Sequence, residues 1–553
     1  MSPLRPRFRL DTHQVTNQPP PFVDVNLFES DLALVDALGQ AGGTAHGGSL
    51  AQFGARAGTA ELAERAMQAN QFPPRLNTFD RYGRRIDEVD YHPAYHALMT
   101  FGIEAGVSAA AWSEVSAGHV LHTALEFLMA QVEPGVCCPM TMTYASVAAL
   151  RHQPDIAAHW LPRIQTARYD SSSRPATTKT GVTIGMAMTE KQGGSDVRAN
   201  TTRARPAGDA GPGRAYLLTG HKWFCSAPMC DAFLTLAYEE GGLSCFLAPR
   251  WTPEGERNAI EIVRLKDKMG DRANASSEIE YHGAYAVMIG EPGRGVRTII
   301  EMVHHTRLDC AIAPAAYMRQ AVANAIWHAE HRSAFEKRLI DQPAMRTLLA
   351  DLAVESEAAT ALVFRVARSF DESASSSEAT AFCRIATPIA KYWLNKRVVN
   401  LVYEAMEVQG GAGYVEESVM PRLFRQSPLN SIWEGSGNVI CLDVLRAMSR
   451  EPDSVAAFVT EVEAAHGSCV LLDSAIARVK DRLAAPHSEA DARRLVEEMA
   501  LALQGSILVR HGPAAATDAF CSTRLAERPG YAFGAVASTM DCDAILERAS
   551  PLR

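Results

Sequence analysis

The sequence lacks the features that would place the chain in a membrane or staple it with disulfides. None of its apolar runs reaches the roughly 18 residues that a membrane-spanning helix needs. Its 11 cysteines are scattered, with no CxxC pair and no Cys/His spacing that suits zinc. The basic N-terminal segment has no apolar core of the kind that a signal peptide carries. We therefore expect a cytoplasmic protein with reduced thiols, no metal site and no membrane partner.

An excess of positive charge and the common nucleotide-binding motifs are absent as well. The chain has 54 Lys+Arg against 63 Asp+Glu, which gives a formal net charge of −9. The whole surface therefore offers no electrostatic basis for binding nucleic acid or anionic lipid, and any basic patch must be local. Neither a P-loop nor the Rossmann glycine fingerprint occurs, so a nicotinamide site or a Rossmann-type flavin site has no support.

What the 553 residues do contain is a change of hydrophobic period along the chain. Helical patterns fill residues 1–180, short β-rich runs separated by turns fill 181–290, and long amphipathic helical patterns fill 291–450. A further helical extension covers residues 451–553. The sequence thus predicts an α+β fold: an N-terminal helical domain, a middle antiparallel β-domain, a C-terminal helical bundle and the extension. Within the bundle, Pro388 is expected near the start of a helix.

The segment "MTEKQGGSDVRAN" at residues 188–200 is built like a phosphate cradle. Gly193 and Gly194 allow a close approach of the backbone, and Ser195 with nearby N–H groups would receive a phosphate. A simple β-turn is the alternative, and the glycine pattern alone favours it. About thirty residues later, "HKWFCS" at 221–226 places an aromatic pair and a serine on a strand, where they would stack on a planar ring or form an edge-strand cluster.

Three segments of the predicted C-terminal bundle also contain candidate site residues. In "HRSAFEKRL" we predict Arg332 and Phe335 on one face of a helix end, where Arg332 would pair a phosphate or remain solvated. "EVQGGAGY" provides a glycine turn that is either a binding loop or a plain helix cap. In "IWEGSGN", Glu434 lies between Trp433 and Gly435, and it is either a general base or a charge at a helix N-terminus.

The order of these segments is more informative than any one of them, and it resembles the acyl-CoA dehydrogenase family over residues 1–450. Within the family the chain resembles the AidB-like branch, flavoproteins of the adaptive response to alkylation stress. The segments that carry the branch resemblance are residues 12–31, 80–99, 188–204, 264–281 and 430–446.

The resemblance implies a non-covalently bound FAD between the β-domain and the C-terminal helices. It implies that part of the FAD site comes from a neighbouring subunit, and hence a homotetramer or at least a dimer. The implied cofactor-binding residues are Met188, Thr189, Ser195, Phe224, Ser226, Arg332, Phe335, Glu407, Gly410, Gly411, Ile432 and Asn438.

The resemblance also identifies Glu434 as the catalytic base. Some family members carry the base on a helix instead, immediately before an arginine that corresponds to Arg307, but Thr306 occupies that position here. Glu434 would remove the α-proton of an acyl-CoA while a β-hydride passes to the flavin. Phe224 and Ser226 replace the family's Trp and Thr, and Glu336 replaces a glycine near the phosphates, so we expect weak acyl-CoA turnover with FAD binding retained.

In the AidB-like branch the C-terminal extension is associated with double-stranded DNA. In this chain residues 451–553 carry 10 Lys+Arg and 15 Asp+Glu, and a net charge of −5 is unfavourable for binding phosphates. A local basic face on packed helices and ordinary solvated helix faces are about equally good interpretations. The candidate DNA-binding residues are Arg446, Arg478, Lys480, Arg482, Arg493, Arg494 and Arg510.

The sequence therefore favours an AidB-like FAD protein that binds DNA, responds to alkylation damage and has at most weak acyl-CoA dehydrogenase activity. Two alternatives stay open. One is a metabolic dehydrogenase of short or branched acyl-CoA, and the other is a flavoprotein whose FAD is only structural.

Overall fold

The first part of the chain is helical, as the sequence predicts, but it contains a hairpin that the sequence did not reveal. The computed structural model describes residues 12–113, 115–526, 530–536 and 539–552. The hairpin pairs Arg75–Phe79 (β1) with Arg85–Asp90 (β2). The surrounding helices are α1 (Leu32–Gln40), α2 (Gly47–Ala57), α3 (Ala60–Gln71), α4 (Pro93–Glu104), α5 (Gly118–Val132), α6 (Pro134–Leu150) and α7 (Pro154–Ile164).

The middle of the chain forms a seven-stranded sheet. Its strands are β3 (Ile184–Ala187), β4 (Arg203–Pro206), β5 (Ala215–Ser226), β6 (Ala232–Glu239), β7 (Gly242–Pro249), β8 (Ile260–Leu265) and β9 (Ser276–Ile289). The strand order is β3-β6-β4-β5-β9-β7, β8 pairs with β9, and an additional β6–β7 pairing closes the sheet on itself. Closure leaves few free strand edges, which suits a domain that lies against other elements.

The prediction of an antiparallel sheet is correct for most pairs and wrong for two. β3 pairs with β6 in parallel, and a single pair, Arg203 with Tyr238, joins β4 to β6 in parallel. The chain runs from β3 through the glycine-containing loop, β4 and β5 before β6 forms, so β3 and β6 are not hairpin neighbours. A connection of this length is what parallel pairing requires.

Long helices return after the sheet and surround a second small hairpin. The helices and the two hairpin strands of this part are α8 (Gly295–His331), β10 (Ser333–Ala334), β11 (Lys337–Arg338), α9 (Pro343–Glu372), α10 (Ser377–Val408), α11 (Gly411–Tyr414), α12 (Met420–Gln426) and α13 (Gly437–Arg450). Pro388 lies inside α10 rather than near its start, so that prediction was wrong. Packing of α10 against α8, α9 and α13 keeps the helix continuous, although Pro388 has no N–H to donate to the preceding turn.

The C-terminal extension continues the helical bundle instead of forming a separate core. Its helices are α14 (Pro452–Glu463), α15 (Val470–Ala484), α16 (Ala492–His511), α17 (Ala514–Arg524) and α18 (Cys542–Ala549). Phe458, Leu503 and Phe520 are buried in the same apolar cluster as Leu308 and Leu394 of α8 and α10. Among the described residues, no helix has the length and apolar character that crossing a bilayer requires.

Two apolar clusters meet where α6 and α8 lie against the sheet. The helical cluster contains Leu308 of α8, while the sheet cluster includes Tyr144 of α6 and Met302 of α8. Trp433 packs against the sheet cluster from the loop before α13. The junction between the two clusters therefore brings that loop, α6 and α8 together.

Candidate functional site

Glu434 lies in the loop that connects a 3₁₀ turn (Leu429–Ser431) to α13, beside the first half of α8. The hydroxyl of Thr306 lies 2.8 Å from its Oε2 atom and donates a hydrogen bond to it. The Nε of Arg307 donates to the Glu434 carbonyl oxygen at 3.1 Å, and its Nη1 pairs with Asp443 Oδ2 at 2.8 Å. Thr306 and Glu434, which are 128 residues apart in sequence, thus belong to one site around the Glu434 carboxylate.

The charge state of Glu434 is set by opposing effects. Burial raises the pKa of the Glu434 carboxyl above its usual value. The Thr306 hydroxyl and the cations of Lys391 and Arg307 oppose that rise. A carboxylate with a raised pKa is a better proton acceptor than an ordinary surface glutamate, and it is the chemistry that a general base needs.

On the sheet side, the loop after β3 contains the predicted residues Met188, Thr189 and Ser195. Met188 and Thr189 are half-buried, and Ser195 is exposed. The Trp223 N–H donates to the Thr189 carbonyl at 2.7 Å, which attaches the loop to β5. A Cβ on Gly193 would lie 2.5 Å from the Asp196 carbonyl oxygen, so the turn has no room for a side chain there. The glycine pattern therefore does form a tight turn, with an exposed serine at its surface.

A buried ion pair that the sequence did not single out holds this loop in place. Lys222 Nζ of β5 and Glu190 Oε1 lie 2.8 Å apart and are both excluded from solvent. Glu190 also accepts hydrogen bonds from the backbone N–H groups of Thr201 and Thr202 at 2.7 and 3.2 Å. Both residues stand inside motifs that the sequence analysis singled out, but nothing in the local sequence identifies them as partners, because Glu190 lies in a loop and Lys222 in a strand 32 residues later.

Phe224 and Ser226 lie on β5, in the middle of the sheet rather than on its edge. The register between β5 and β9 shifts between Lys222 and Cys225, which indicates a β-bulge at the aromatic pair. The Phe224 ring is 45% exposed, although most other residues of β5 are buried or half-buried. The Ser226 hydroxyl lies 3.2 Å from the Ser276 hydroxyl. The bulge thus presents an aromatic ring with a nearby hydroxyl outside the sheet, which suits a planar ligand.

The prediction that Arg332 and Phe335 share one face of a helix end was wrong. α8 ends at His331, and Phe335 stands in the turn of the β10–β11 hairpin because both Phe335 and Glu336 adopt left-handed backbone conformations. Phe335 is 92% exposed, and Arg332 donates to the Asn17 carbonyl at 2.5 Å.

Glu407, Gly410 and Gly411 lie at the end of α10 and are exposed. A Cβ on either glycine would meet open space. A cleft of ≈ 1060 Å³ begins beside them, with Gln409, Ala412 and Trp327 among its lining residues. Among the described residues, no hydrogen bond or ion pair connects this end of the bundle with the loop that contains Ser195.

Ile432 and Asn438 flank Glu434 on either side and are both exposed, Ile432 to 62%. Among the described residues, no group of three or more His, Cys, Asp or Glu side chains could hold a metal ion.

The candidate DNA-binding cations do not form a free basic face, because each contacts another group of the chain. Arg494 and Arg482 both pair with Glu498, Lys480 pairs with Glu463, and Arg510 pairs with Glu461. Arg493 donates to the Tyr392 hydroxyl at 3.0 Å, Arg478 donates to the Leu525 carbonyl at 3.3 Å, and Arg446 lies 3.6 Å from Asp443. Arg494, Arg446 and Lys480 are nevertheless exposed, at 67, 60 and 48%, more than Arg482 and Arg510 at 33 and 21%.

Family comparisons match three consecutive segments of the chain. Residues 17–171 match the adaptive response protein AidB N-terminal domain. Residues 185–284 match the acyl-CoA dehydrogenase middle domain, and residues 293–449 match the acyl-CoA dehydrogenase C-terminal domain. Their order is that of the helical part, the sheet and the long helices in the structure.

Individual relatives agree with these matches. AidB of Escherichia coli (strain K12) is 43% identical over 525 residues, covering 94% of this chain and 95% of its own. Acyl-CoA dehydrogenase family member 11 of Caenorhabditis elegans is 33% identical over 448 residues, covering 78% of this chain and 71% of its own.

Solved structures agree as well. The structure of C. elegans ACDH-11 in complex with C11-CoA has a TM-score of 0.83 and 26% identity, and it covers 99% of this chain and 95% of its own. The apo-form of Bd2924 also has a TM-score of 0.83, with 29% identity over 91% of this chain and 100% of its own.

Proposed function

Because this chain belongs to the acyl-CoA dehydrogenase family, in the group of the adaptive response protein AidB, we propose that it is a flavoprotein that removes the α-proton of an acyl-CoA thioester through Glu434. The proposal goes on to a second property, the binding of double-stranded DNA in a response to alkylation damage. The observation that carries the catalytic part is the half-buried Glu434 carboxylate beside Thr306. The C. elegans relative seen with C11-CoA supports an acyl-CoA as the substrate class.

FAD is the cofactor of this family, and the residues present fit it. The exposed Phe224 ring on the bulge suits the flat isoalloxazine, the Ser226 hydroxyl on the same strand would donate a hydrogen bond to it, and the exposed Ser195 turn suits the pyrophosphate. When bound, FAD supplies the acceptor for the hydride that leaves the β-carbon.

Residues of the chain itself accept the α-proton, orient the base and bind the thioester oxygen. Glu434 accepts the α-proton on a carboxylate oxygen while Thr306 fixes the orientation of the other oxygen. Gly435 and the following turn let the loop approach α8, where Arg307 holds the Glu434 carbonyl. The Glu434 backbone N–H is left to donate to the thioester oxygen, where negative charge develops as the proton leaves.

Anaerobic mixing with a panel of acyl-CoA thioesters tests the catalytic part. We expect the oxidised-flavin absorbance to bleach with at least one thioester and Glu434→Gln to slow bleaching by about 10³-fold or more, since the amide cannot accept the proton. Glu417→Gln, which changes an exposed carboxylate of a neighbouring loop, is the matched control. Bleaching that survives in Glu434→Gln would exclude this residue as the base. No bleaching in the wild type would favour a structural flavin.

The DNA-binding part rests on the similarity to AidB and on the exposure of Arg494, Arg446 and Lys480. Each of these cations has an acidic partner nearby, which weakens its attraction for phosphates. We therefore propose weak, salt-dependent and sequence-independent binding, to which several subunits of one assembly contribute.

Duplex binding at several salt concentrations tests that part. We expect Lys480→Glu/Arg494→Glu to weaken binding at low salt and to flatten its salt dependence. Arg84→Glu, which reverses a still more exposed cation in the β1–β2 hairpin, is the control and should leave binding unaltered. If both variants lose the same amount of DNA affinity, the DNA surface lies elsewhere. If the wild type both binds DNA and shows flavin bleaching, one protein has both properties. Bleaching without any DNA binding would favour the metabolic dehydrogenase.

We also propose that the protein is a homotetramer whose FAD sites are shared between subunits. The exposed Phe335 and the open glycines at the end of α10 support this proposal. Among the described residues they form no hydrogen bond to the Ser195 loop of their own subunit, so they are available to complete the FAD site of a neighbouring subunit. Sedimentation of the holoprotein with and without Phe335→Ala tests it, and loss of FAD together with dissociation is the expected result.

A further inference from the structure

One buried ammonium group holds both ends of the loop that contains Glu434. Lys391 of α10 is 1% exposed, and its Nζ donates to the Asn430 carbonyl at 3.0 Å and to the Gly435 carbonyl at 2.8 Å. Arg307 donates to the carbonyl of Glu434 itself. Thr306, Arg307 and Lys391 thus anchor this loop on α8 and α10 through hydrogen bonds to the Glu434 carboxylate and to backbone oxygens of the loop.

The loop needs such anchors because its backbone is strained. Glu434 has a φ of 57°, in the left-handed region that glycine favours and that a glutamate avoids. Lys391 donates to the carbonyl of Asn430, four residues before Glu434, and to the carbonyl of Gly435, the residue after it. The strained position lies between these two acceptors, so the ammonium closes the turn around Glu434. A side chain without donors at position 391 would leave both carbonyls buried and unpaired.

The charge of Lys391 is not neutralised by an acidic partner. Arg307 pairs with Asp443, and the buried Lys222 pairs with Glu190, but among the described residues no carboxylate lies within ion-pair distance of Lys391. The groups that face Glu434 are Arg307 and Cys310 of α8, Lys391 of α10 and Cys138 of α6. Both thiols stay neutral, because burial raises their pKa, that of Cys138 to about 12.

We propose that Lys391 is a positioning residue for the proton transfer: it holds Glu434 in its strained conformation and keeps its carboxylate ionised. The inference rests on the proposed function, since it assigns Lys391 a role through the base. It also concerns a property of the resting protein, the titration of one carboxyl, which is measurable without turnover.

The test follows the titration of Glu434 by NMR in holoprotein made with glutamate labelled with carbon-13 in the side-chain carboxyl. The signal absent from Glu434→Gln identifies the residue. In Lys391→Met, which removes the charge and the donors at similar volume, we expect the Glu434 carboxyl to titrate at higher pH than in wild type. Lys391→Gln keeps a donor without the charge and should shift the titration in the same direction. Lys391→Arg keeps the charge and should stay near wild type.

Lys396→Met is the matched control, because Lys396 lies on the same helix and makes no hydrogen bond to the loop in the described structure. It should not shift the titration. If Lys391→Met fails to fold, Lys391→Gln decides the question. Unchanged Glu434 titration in folded Lys391→Met or folded Lys391→Gln would overturn the inference.

The kinetic arm separates this inference from the proposed function. If the wild type bleaches with an acyl-CoA, Lys391→Met should lose about tenfold or more in bleaching rate near neutral pH and recover part of it at higher pH. If no acyl-CoA bleaches the wild type, the proposed function fails, while the NMR titration still decides the role of Lys391.

Discussion

At the scale of single residues, the candidate site depends on backbone conformations that its side chains do not favour. Glu434 stands in the left-handed region, and so do Phe335 and Glu336 at the tip of the β10–β11 hairpin. At Glu434 the anchors from α8 and α10 hold the loop. At the exposed hairpin tip, both central turn positions are left-handed, where Asn and Gly are the usual residues. The hairpin therefore keeps an exposed phenylalanine at a cost in conformational energy.

Replacing the second turn residue with glycine should relieve that cost. We expect Glu336→Gly to raise the free energy of unfolding by about 1 kcal/mol, because glycine adopts this φ without the Cβ clash. Chemical denaturation of the holoprotein measures the change. Glu336→Ala removes the same charge but keeps the Cβ, so it should give no such gain, and an equal gain in both variants would contradict the prediction.

At the scale of elements, the loop between β3 and β4 owes its shape to β5. Glu190 receives Lys222 Nζ, two backbone N–H groups and the Thr202 hydroxyl, the last at 2.6 Å. Burial opposes the ionisation of Glu190, but Lys222 and these donors prevail and hold its pKa at about 2. The loop that contains Ser195 is thereby attached to the strand that contains Phe224, so the Phe224 ring and the Ser195 turn are held together.

Breaking this buried pair should loosen that unit. We expect Glu190→Gln to lower the free energy of unfolding by about 3–5 kcal/mol, since it leaves the Lys222 ammonium buried without a counter-charge. Thermal unfolding and the FAD content of the purified protein measure the effect. Glu190→Gln/Lys222→Met should recover part of the loss, whereas the exposed change Glu240→Gln should be neutral. A stable, fully loaded Glu190→Gln variant would show that the pair does not hold the loop.

A second feature of the elements is a group of imidazoles between α5, α6, α8 and α9. His304 lies 3.3 Å from the Cys383 sulfur, and the ring centroids of His305 and Phe370 are 5.2 Å apart. Burial lowers the pKa of His304 to about 3 and that of His305 to about 4. Both therefore remain neutral in the folded protein at a pH where the unfolded chain already binds protons.

The sign of the resulting pH dependence follows from linkage. An unfolded histidine titrates near pH 6.5, so the stability associated with neutral His304 and His305 is present above that pH and is lost as the pH falls below it. Between about pH 6.5 and pH 5 each should cost about 2 kcal/mol. Urea denaturation at several pH values should show this slope, and it should become shallower in His304→Asn/His305→Asn. The exposed change His487→Asn should keep the wild-type slope, and the same slope in all three proteins would contradict the assignment.

At the scale of the whole molecule, the C-terminal extension is part of the bundle. Arg524 of α17 pairs with Asp351 and Glu355 of α9 at 2.7 and 2.9 Å, in positions where all three side chains are buried. Arg548 of α18 pairs with Glu357 of α9 at 2.8 Å. The extension covers apolar surface of α9 and α10, so removing it would expose a large part of the helical core to water.

Truncation after Arg450 should therefore abolish folding rather than remove a single property. We expect the shortened chain to be insoluble or to lack FAD, because apolar residues become exposed, the Asp351 carboxylate loses Arg524 and the Glu355 carboxylate keeps only Arg397. Solubility, flavin content and thermal unfolding compared with the full chain measure this. A truncated protein that is soluble, yellow and as stable as the full chain would show that the extension is an independent domain.

Much of the architecture could be predicted because it is written in local patterns. The change from a helical to a strand period and back predicted the helix–sheet–helix order, and the family matches confirm the resemblance. The motif around Glu434 was recognisable because its neighbours in sequence are its neighbours in the loop. The β1–β2 hairpin was missed because its short strands alternate weakly between buried and exposed residues.

The sequence by itself determined the class of fold and the family, because periodicity and motifs act over a few turns or strands, and the family resemblance named Glu434 as the candidate base. Only the tertiary structure decided what surrounds that base and which cations are free. Thr306 reaches the Glu434 carboxylate, and Lys391 reaches the carbonyl of the next residue, from helices far away in sequence. Glu498 and Glu461 neutralise arginines that composition alone leaves unpaired. Such contacts depend on how separate elements pack, and local sequence contains no record of that packing.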